Sequence, residues 1–346
     1  MYRLNEETMI TPLRHTPLLP GTLQNLFYPP REYKYFEHAG KVPFRAAASV
    51  AKAAWASDAS MLAYARFGER RMTEEELSGI FEQVGLDFEK IGGTSTDWNA
   101  PGTQALFAHC KDFAFMSFRG TERDDPIDIL ADANIALAHE PDYRPVAGDP
   151  SPALAHLNLV THLFADVCFV HRGFQLALNQ VWERVHSVVM AYRESHPGAE
   201  VCFTGHSLGA ALAVLAFGRF ADLDISLYTF GCPRVGDGAF RDRIASNPGR
   251  GIYRYVNEND AVAHVPTDSL LYRQTPAGCY RFSQEGNLDV DDGLFHGDVE
   301  SLRAAITGLP VSLNFGDLDQ IPAPPSLVDH SPARYCFRLW DCVEID

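Results

Sequence analysis

The chain has 346 residues, of which 46% are hydrophobic and 21% charged, and its formal net charge is −16 at pH 7. This length suffices for one large α/β domain or two small ones, and the composition is that of an ordinary globular protein. The acidic balance argues against nucleic acid as a partner, because binding to phosphates needs a basic face. It also argues against strong electrostatic docking on anionic membranes.

Cysteine usage predicts a reducing compartment. The seven cysteines are an odd number and none forms a CxxC pair, which is untypical of a disulfide framework or a zinc site. We therefore expect no metal and no cofactor.

An N-terminal leader is not apparent, since Asn5, Glu6 and Glu7 interrupt any apolar region, and no run approaches about 18 apolar residues. The expectation is a soluble cytoplasmic protein without a transmembrane segment, and leaderless secretion is the open alternative.

The first predicted elements are an arm and two helices. Frequent prolines over residues 1–45 predict an arm laid over a single domain at 46–346. An apolar stripe at helical spacing predicts a helix over 46–67. A second helix begins after Thr73, which is its N-cap and forms a capping box with Glu76.

The middle of the chain alternates between strand and helix patterns. Residues 103–108 and 113–118 read as two strands joined by a tight polar turn. A helix is predicted over 126–138 and a strand over 166–170. A long amphipathic helix is predicted over 173–195.

The later elements are shorter. Residues 225–230 and 252–256 are predicted as buried strands, residues 270–273 and 279–283 as a hairpin, and residues 298–307 as a final helix. The whole alternation of apolar strands and helices predicts the α/β class, with a mostly parallel central sheet covered by helices on both faces.

Residues 199–223 are the most informative stretch. A short apolar run leads into Gly205-His206-Ser207-Leu208-Gly209, and an alanine-rich run without a breaker follows. Strand, G-x-S-x-G and helix is the context of the nucleophile elbow of α/β-hydrolases, in which the turn lifts the serine hydroxyl out of the sheet. Glycine is expected at both ends of the motif because a Cβ there would collide with the neighbouring strand or helix. Ser207 is therefore the predicted nucleophile, and an ordinary glycine-rich turn is the alternative.

A serine nucleophile needs two partners. Its hydroxyl is weak at neutral pH, so it requires a base within hydrogen-bonding reach and an acid that orients the base, in the chain order Ser, Asp or Glu, His. Asp260 follows a predicted strand at the carboxyl end of the sheet, where catalytic groups collect, although it could also simply cap its loop. His330 lies in a late loop before the final apolar segment. The other candidates are Asp222, Asp224, Asp237, Glu258, His264 and His296.

A series of motifs resembles the class 3 lipases, the family of fungal triacylglycerol lipases and their bacterial and plant relatives. The motifs are F-R-G-T at 118–121, V-H-R-G-F at 170–174, G-H-S-L-G-A at 205–210, Y-T-F-G-C-P-R-V-G at 228–236, V-N-E-N-D-A-V at 256–262 and D-H-S at 329–331. The resemblance implies the α/β-hydrolase fold with Ser207, Asp260 and His330 as the triad. It also implies that Thr121 and Leu208 donate to the oxyanion.

The resemblance implies a function as well. The expected protein is a serine carboxylester hydrolase, a lipase that cleaves acylglycerol or fatty-acyl esters through an acyl-enzyme, and its expected partner is an acyl-ester lipid. Phospholipase A1 or a short-chain esterase is the nearest alternative, and a catalytically silent lipid-binding module is the alternative from another class. Ile129 stands where fungal members carry a lid tryptophan. A lid within 122–168 is therefore one interpretation: the hydrophobic stretch over 154–164 either opens at a lipid–water interface or is a permanently packed helix.

Overall fold

The computed structural model describes residues 33–46, 49–65, 72–92, 102–119, 137–140, 168–246, 250–260, 262–266, 271–275, 278–283, 286–290 and 328–343. Several predictions fall on other parts of the chain. The helix predicted over 298–307, Thr121 and His296 lie outside the described residues, as do most of the arm and most of the segment 122–168. The helix predicted over 126–138 lies outside them as far as residue 136, and its last two residues, 137 and 138, belong to a strand instead.

An eight-stranded sheet organises the described residues. The strands are β1 Asp87–Gly92, β2 Gln104–His109, β3 Phe113–Arg119, β4 Leu137–Glu140, β5 Cys168–His171, β6 Glu200–His206, β7 Ser226–Phe230, β8 Ile252–Asn257, β9 Gly278–Phe282 and β10 Leu288–Val290. The sheet order is β1-β2-β3-β6-β7-β8-β9-β10, and β4 pairs separately with β5. Because β3, β6, β7, β8 and β9 run parallel, the predicted α/β class with a mostly parallel sheet is confirmed.

Helices cover both faces of this sheet. They are α1 Ser49–Leu62, α2 Glu74–Glu82, α3 Arg172–Asn179, α4 Trp182–Ser195, α5 Leu208–Arg219, α6 Gly238–Ala245 and α7 Pro332–Asp341. Each face of the sheet has its own apolar cluster. One cluster contains residues of α1, α2 and α7, and the other contains residues of α3 to α6. Alternate residues of β3 serve the two clusters: Met116 and Phe118 face α5, whereas Phe113 and Phe115 face α1. This two-sided burial explains why the central strands read as continuous apolar runs.

The long helix predicted over 173–195 is wrong, because the chain forms two helices there. Both α3 and α4 are amphipathic as predicted, but they are separated at Gln180 and Val181 by tight i→i−3 hydrogen bonds. The side chain of Gln180 accepts a hydrogen bond from the backbone N–H of Thr103, 3.2 Å away. A partner so far along the chain fixes the break, which periodicity alone does not show.

The hairpin predicted from 270–273 and 279–283 is also wrong. Strand β9 pairs in parallel with β8 and antiparallel with β10. In the antiparallel pair, Phe282 of β9 lies opposite Leu288 of β10. Arg273 instead forms an isolated bridge with Gly236. The predicted strand over 166–170 exists as β5, but it belongs to the small ribbon with β4 and not to the sheet. Strand pairing depends on tertiary neighbours more than on local pattern.

The described end of the arm packs into the domain. Tyr35 and Phe36 are buried against α1. Asp58 of α1 is fully buried and accepts hydrogen bonds from the Tyr33 hydroxyl, from the Phe36 N–H at 2.7 Å and from Trp340 Nε1 at 3.0 Å. One carboxylate therefore joins the arm, α1 and the last helix. The domain boundary at residue 45 stays a prediction.

Candidate active site

Ser207 lies at a sharp turn between β6 and α5. Its φ is +56° and its ψ −126°, a conformation that residues with a side chain rarely adopt. The turn is held by its own backbone, because Ser207 N–H donates to Phe230 O and Ser207 O accepts from Ala210 N–H and Ala211 N–H. The residue is 4% exposed. This is the strained, pre-formed turn that the G-x-S-x-G motif predicts.

The two motif glycines allow the helix to approach its neighbours. A Cβ on Gly209 would lie closer than 3.0 Å to the carbonyl oxygen of Phe118 in β3, and a Cβ on Gly205 would also lie closer than 3.0 Å to the backbone of Gly209. Real Cβ atoms do not approach backbone so closely. The helix that begins after the serine therefore rests directly on two strands, and the predicted reason for both glycines is confirmed.

Asp260 and His330 form a buried pair. His330 Nδ1 lies 2.8 Å from Asp260 Oδ2, and both side chains are almost fully inaccessible. Because an ionised carboxylate only accepts hydrogen bonds, Nδ1 carries the proton and Nε2 of the neutral ring keeps its lone pair. Nε2 is buried and has no hydrogen-bond partner in the described part of the chain. The structure thus brings together two of the predicted residues from positions 70 apart in sequence.

Asp260 has two further donors that sequence reasoning missed. The Tyr335 hydroxyl donates to Oδ2 at 2.6 Å, and Val262 N–H donates to Oδ1 at 2.9 Å. Burial opposes ionisation of Asp260, but the interactions with His330 and Tyr335 outweigh it and hold its pKa below the ordinary value. Burial and Asp260 in turn raise the pKa of Tyr335, so this hydroxyl remains a donor. No pattern in the sequence distinguishes Tyr335 from an ordinary core aromatic.

Gly231 makes room for the pair. Its φ is +57°, and a Cβ there would lie 2.6 Å from Asp260 Oδ2 and 2.8 Å from His330 Nδ1. Any larger residue would displace the carboxylate from the imidazole. The signal was present in the motif at 228–236, where a glycine directly follows a buried strand.

A polar network ties the loop of Asp260 to the loop of His330. Asn257 Nδ2 donates to the backbone oxygen of Asp329 at 2.8 Å, and Arg334 Nη1 donates to the Asp329 carboxylate at 3.1 Å. Glu258, whose φ is +42°, pairs with Arg338 of α7. Burial and the nearby Glu258 raise the pKa of Asp329 to about 6. The neighbours of the pair therefore belong to the framework that holds it.

The remaining candidates lie elsewhere or have other partners. His264 has Arg281 Nη2 3.4 Å from its Nε2, and burial together with nearby arginines lowers its pKa to about 3. Asp237 caps α6 by accepting from Phe240 N–H at 2.8 Å. Asp222 and Asp224 precede β7, so they lie at the amino-terminal ends of the parallel strands, whereas Asp260 follows the carboxyl end of β8.

Leu208 is placed to offer its backbone N–H beside the serine. It is the first residue of α5, where an N–H has no acceptor within the helix. The start of α5 also carries the positive end of the helix dipole, which favours a negative oxygen nearby. Thr121, the second predicted donor, lies outside the described residues.

The described residues contain no group of three or more histidine, cysteine, aspartate or glutamate side chains that could hold a metal ion. Nor does any helix among them have the length and apolar character needed to cross a membrane.

A mostly parallel sheet, a strained serine between strand and helix, and a histidine–aspartate pair beyond later strands define the α/β-hydrolase fold. The sequence profile of the family described as "Lipase (class 3)" matches residues 115–270. The predicted resemblance to class 3 lipases is thereby confirmed over that segment. Ser207 and Asp260 lie within it, and His330 lies outside it.

Two curated relatives agree with the profile. The chain is 34% identical over 110 residues to "Secreted mono- and diacylglycerol lipase 1" of Fusarium solani, covering 31% of this chain and 33% of that one. It is 37% identical over 165 residues to "Lipase" of Rhizopus niveus, covering 45% and 35%. The chain thus spans about a third of the length of these curated relatives. The crystal structure of a lipase from Rhizopus microsporus var. chinensis has a TM-score of 0.48 and 24% identity, covering 67% of this chain and 74% of that one.

Proposed function

We propose that this protein is a serine carboxylester hydrolase of the lipase type, which cleaves acylglycerol or other fatty-acyl esters. The observation that carries the proposal is the buried Asp260–His330 pair, packed against the turn that holds Ser207. The pair and the turn are in contact through His206, which directly precedes Ser207. The ring centroid of His206 lies 4.4 Å from that of His330. Relatives over the matched segment are named as lipases, which supports the same reaction class.

The reaction follows from the roles of these groups. Ser207 Oγ attacks the ester carbonyl while His330 Nε2 takes its proton, and Asp260 stabilises the imidazolium that forms. The N–H of Leu208, with Thr121 as the second proposed donor, binds the oxyanion; losing one such donor costs about 3 kcal/mol of transition-state stabilisation. His330 gives its proton to the leaving alcohol and then activates water, which releases the fatty acid from the acyl-enzyme.

The test is hydrolysis of p-nitrophenyl esters of increasing chain length by the wild type and by Ser207→Ala. We expect activity on medium and long chains in the wild type and its loss by about three orders of magnitude or more in Ser207→Ala. Ser246→Ala, at an exposed serine after α6, is the matched control and should keep wild-type activity. An organophosphonate probe should label the wild type and the control but not Ser207→Ala.

The same series separates the alternatives. Activity confined to acetate and butyrate would indicate a short-chain esterase, and release of fatty acid from the sn-1 position of phospholipid vesicles in preference to triacylglycerol would indicate a phospholipase A1. A jump in rate above the solubility limit of the substrate would support a lid within 122–168. Absence of both turnover and labelling would contradict the enzyme and favour a lipid-binding module.

The proposed location is the cytoplasm. None of the seven cysteines forms a disulfide in the structure, as a reducing compartment allows. The Fusarium solani relative is named as secreted, so location requires its own measurement. Cell fractionation with an antibody to the native chain should find the protein in the cytosolic fraction, and its accumulation in the medium would contradict the proposal.

A further inference from the structure

His206 has contacts that neither the triad nor the packing of the elbow requires. It is the last residue of β6, directly before Ser207, and its side chain is fully buried. Its ring lies against the ring of His330, with centroids 4.4 Å apart, and 5.8 Å from the ring of Tyr335. A second histidine therefore fills the space between the proposed nucleophile and the helix behind the proposed base.

One hydrogen bond sets the protonation of this ring. His206 Nε2 lies 2.6 Å from the backbone oxygen of His330. A carbonyl oxygen only accepts, so Nε2 carries the proton. The Tyr64 hydroxyl donates to the backbone oxygen of His206 at 2.8 Å and lies 3.4 Å from Nδ1. Burial, and then the neighbouring His330, lower the pKa of His206 well below its ordinary range, so the ring stays neutral.

The consequence concerns His330. Its side chain is held at Nδ1 by Asp260, and its backbone is held at the carbonyl oxygen by His206. Two attachments, one at the ring and one at the backbone, restrict both the side chain and the loop. Because His206 and Ser207 are consecutive, the second attachment links the position of the base directly to the position of the nucleophile. A neutral donor does this without placing a positive charge against an imidazole that must itself become positive.

We propose that His206 is a positioning residue, which holds His330 in line with Ser207 through its Nε2–H and is itself held by Tyr64. This inference rests on the proposed function and names a further residue on which it depends. A packing role alone would need only an apolar side chain of similar volume. A positioning role needs the donor, and an error of about 1 Å in the geometry of a catalytic pair can cost about 100-fold in rate.

The test compares a variant that keeps the donor with one that loses it. His206→Gln can place an amide N–H near the position of Nε2, whereas His206→Met has similar length and no donor. We expect kcat on a p-nitrophenyl ester to fall about 10- to 100-fold in His206→Met with KM changed less than about 3-fold. His206→Gln should regain most of that loss. Phosphonate labelling of Ser207 should slow in the same order, since labelling requires the base but no turnover.

A third variant guards against misfolding. Tyr64→Phe keeps the ring that packs beside His206 and removes only the hydroxyl, and we expect a fall in kcat of about 3- to 10-fold with KM unchanged. If His206→Met does not fold, the rates of His206→Gln and Tyr64→Phe decide. Thermal unfolding curves of every variant show which comparisons involve folded protein.

Other results overturn the inference. An active wild type with His206→Met of equal kcat would show that the ring only packs. Equal impairment of His206→Gln and His206→Met would show that the donor is irrelevant. If His206→Met fails to fold, an unchanged kcat in Tyr64→Phe would show the same. A wild type that neither hydrolyses esters nor reacts with phosphonate would instead contradict the proposed function, and the inference would fall with it.

Discussion

Tyr335 shows how a single hydroxyl supports the site. It donates to Asp260 at 2.6 Å and accepts from the backbone N–H of Asn257 at 2.9 Å, so it satisfies two buried groups from one position on α7. Neither partner has access to water as a replacement. Removal of this oxygen would leave the Asn257 N–H without its acceptor, and Asp260 Oδ2 with His330 Nδ1 as its remaining donor.

We therefore predict that Tyr335→Phe lowers stability by about 1–3 kcal/mol, because buried polar groups lose their partner. Loss of a donor also raises the pKa of Asp260, which weakens its hold on the imidazolium, and we expect kcat to fall about 3- to 30-fold. Urea unfolding and ester hydrolysis measure the two effects.

Tyr272→Phe is the matched control for this prediction. Tyr272 is equally buried, but its hydroxyl has no hydrogen-bond partner among the described residues. Its removal should leave activity unchanged and stability unchanged or slightly raised. Equal losses in the two variants would contradict the role given to the Tyr335 hydroxyl.

At the site, the sequence was informative where chemistry restricts the choice of residue. Ser207, Asp260 and His330 could each be selected because a motif or a position after a strand singles them out, and the structure brings the last two together. Tyr335 could not be selected, because a tyrosine in an apolar helix is most often a core residue. The donor role of His206 depends on a contact with a residue 124 positions away, which no local pattern contains.

At the scale of elements, the close contact between α5 and β3 sets a steric limit. All residues of α5 from Leu208 to Gly218 are buried, and the helix begins directly against the carbonyl of Phe118. A methyl group at Gly209 has no space, and the obstructing atom is backbone, which cannot rotate away. The whole helix would have to move.

We predict that Gly209→Ala destabilises the protein by more than about 3 kcal/mol and abolishes ester hydrolysis, because overpacking here displaces the elbow. Gly79→Ala is the control: Gly79 lies within α2 and has nothing within 4 Å of an added Cβ. It should stabilise by about 0.5–1 kcal/mol through helix propensity. Thermal unfolding of both variants tests the pair, and similar melting temperatures would contradict the prediction.

The ribbon of β4 and β5 is fixed to the domain by a buried ion pair. Glu140 of β4 accepts from Arg219 Nε at 2.7 Å, with side chains 1% and 4% exposed, and from Gln175 Nε2 at 2.7 Å. Arg219 also lies 4.9 Å from the ring of Trp182. Residues 137–140 lie within 122–168, the range in which the lid is predicted, so this part of the range is anchored.

We predict that Arg219→Met destabilises the protein by about 3–5 kcal/mol, because it leaves a buried carboxylate without its cation. The double variant Arg219→Met with Glu140→Gln should recover part of the loss, since a neutral amide is cheaper to bury. Urea unfolding of the single and double variants measures the coupling. No recovery in the double variant would show that packing of Arg219 on Trp182, and not charge, is what matters.

Elements were predictable where their own residues suffice. The capping box of Thr73 and Glu76 forms as expected, and β2, β3, β7 and β8 lie within one or two residues of their predicted bounds. The errors share a cause: the break at Gln180 and the pairing of β9 are set by distant partners. The sequence therefore determined the bounds of strands and helices better than it determined which elements pair with each other.

On the scale of the whole molecule, Asp58 joins both ends of the described chain. Tyr33 and Phe36 of the arm and Trp340 of α7 all donate to this one carboxylate. Cys336 also contributes a hydrogen bond that lowers its pKa, but burial dominates and raises the pKa from 3.8 to about 6. A folded-state pKa above the unfolded value means that the folded protein holds a proton which the unfolded chain has released.

The pH dependence follows from that difference. Below about pH 4 the carboxyl is protonated in both states; between about 4 and 6 only the unfolded state ionises, so Asp58 lowers stability as pH rises, by at most about 3 kcal/mol in total. Asp58→Asn removes this contribution. We predict that the stability of Asp58→Asn relative to wild type improves between pH 4 and pH 7, as measured by urea unfolding at both values. Parallel pH profiles of the two proteins would contradict it.

The buried thiols give this molecule internal reporters of its own opening. Cys168 in β5, Cys202 in β6, Cys232 after β7 and Cys336 in α7 are all buried, and burial raises the pKa of the last three thiols. A thiol reagent reacts with the ionised, exposed form, so each of these cysteines is modified only when its own element detaches. Labelling rates under native conditions would therefore resolve, within one unmodified chain, how often the ribbon, the sheet centre and the helix behind His330 separate from the rest.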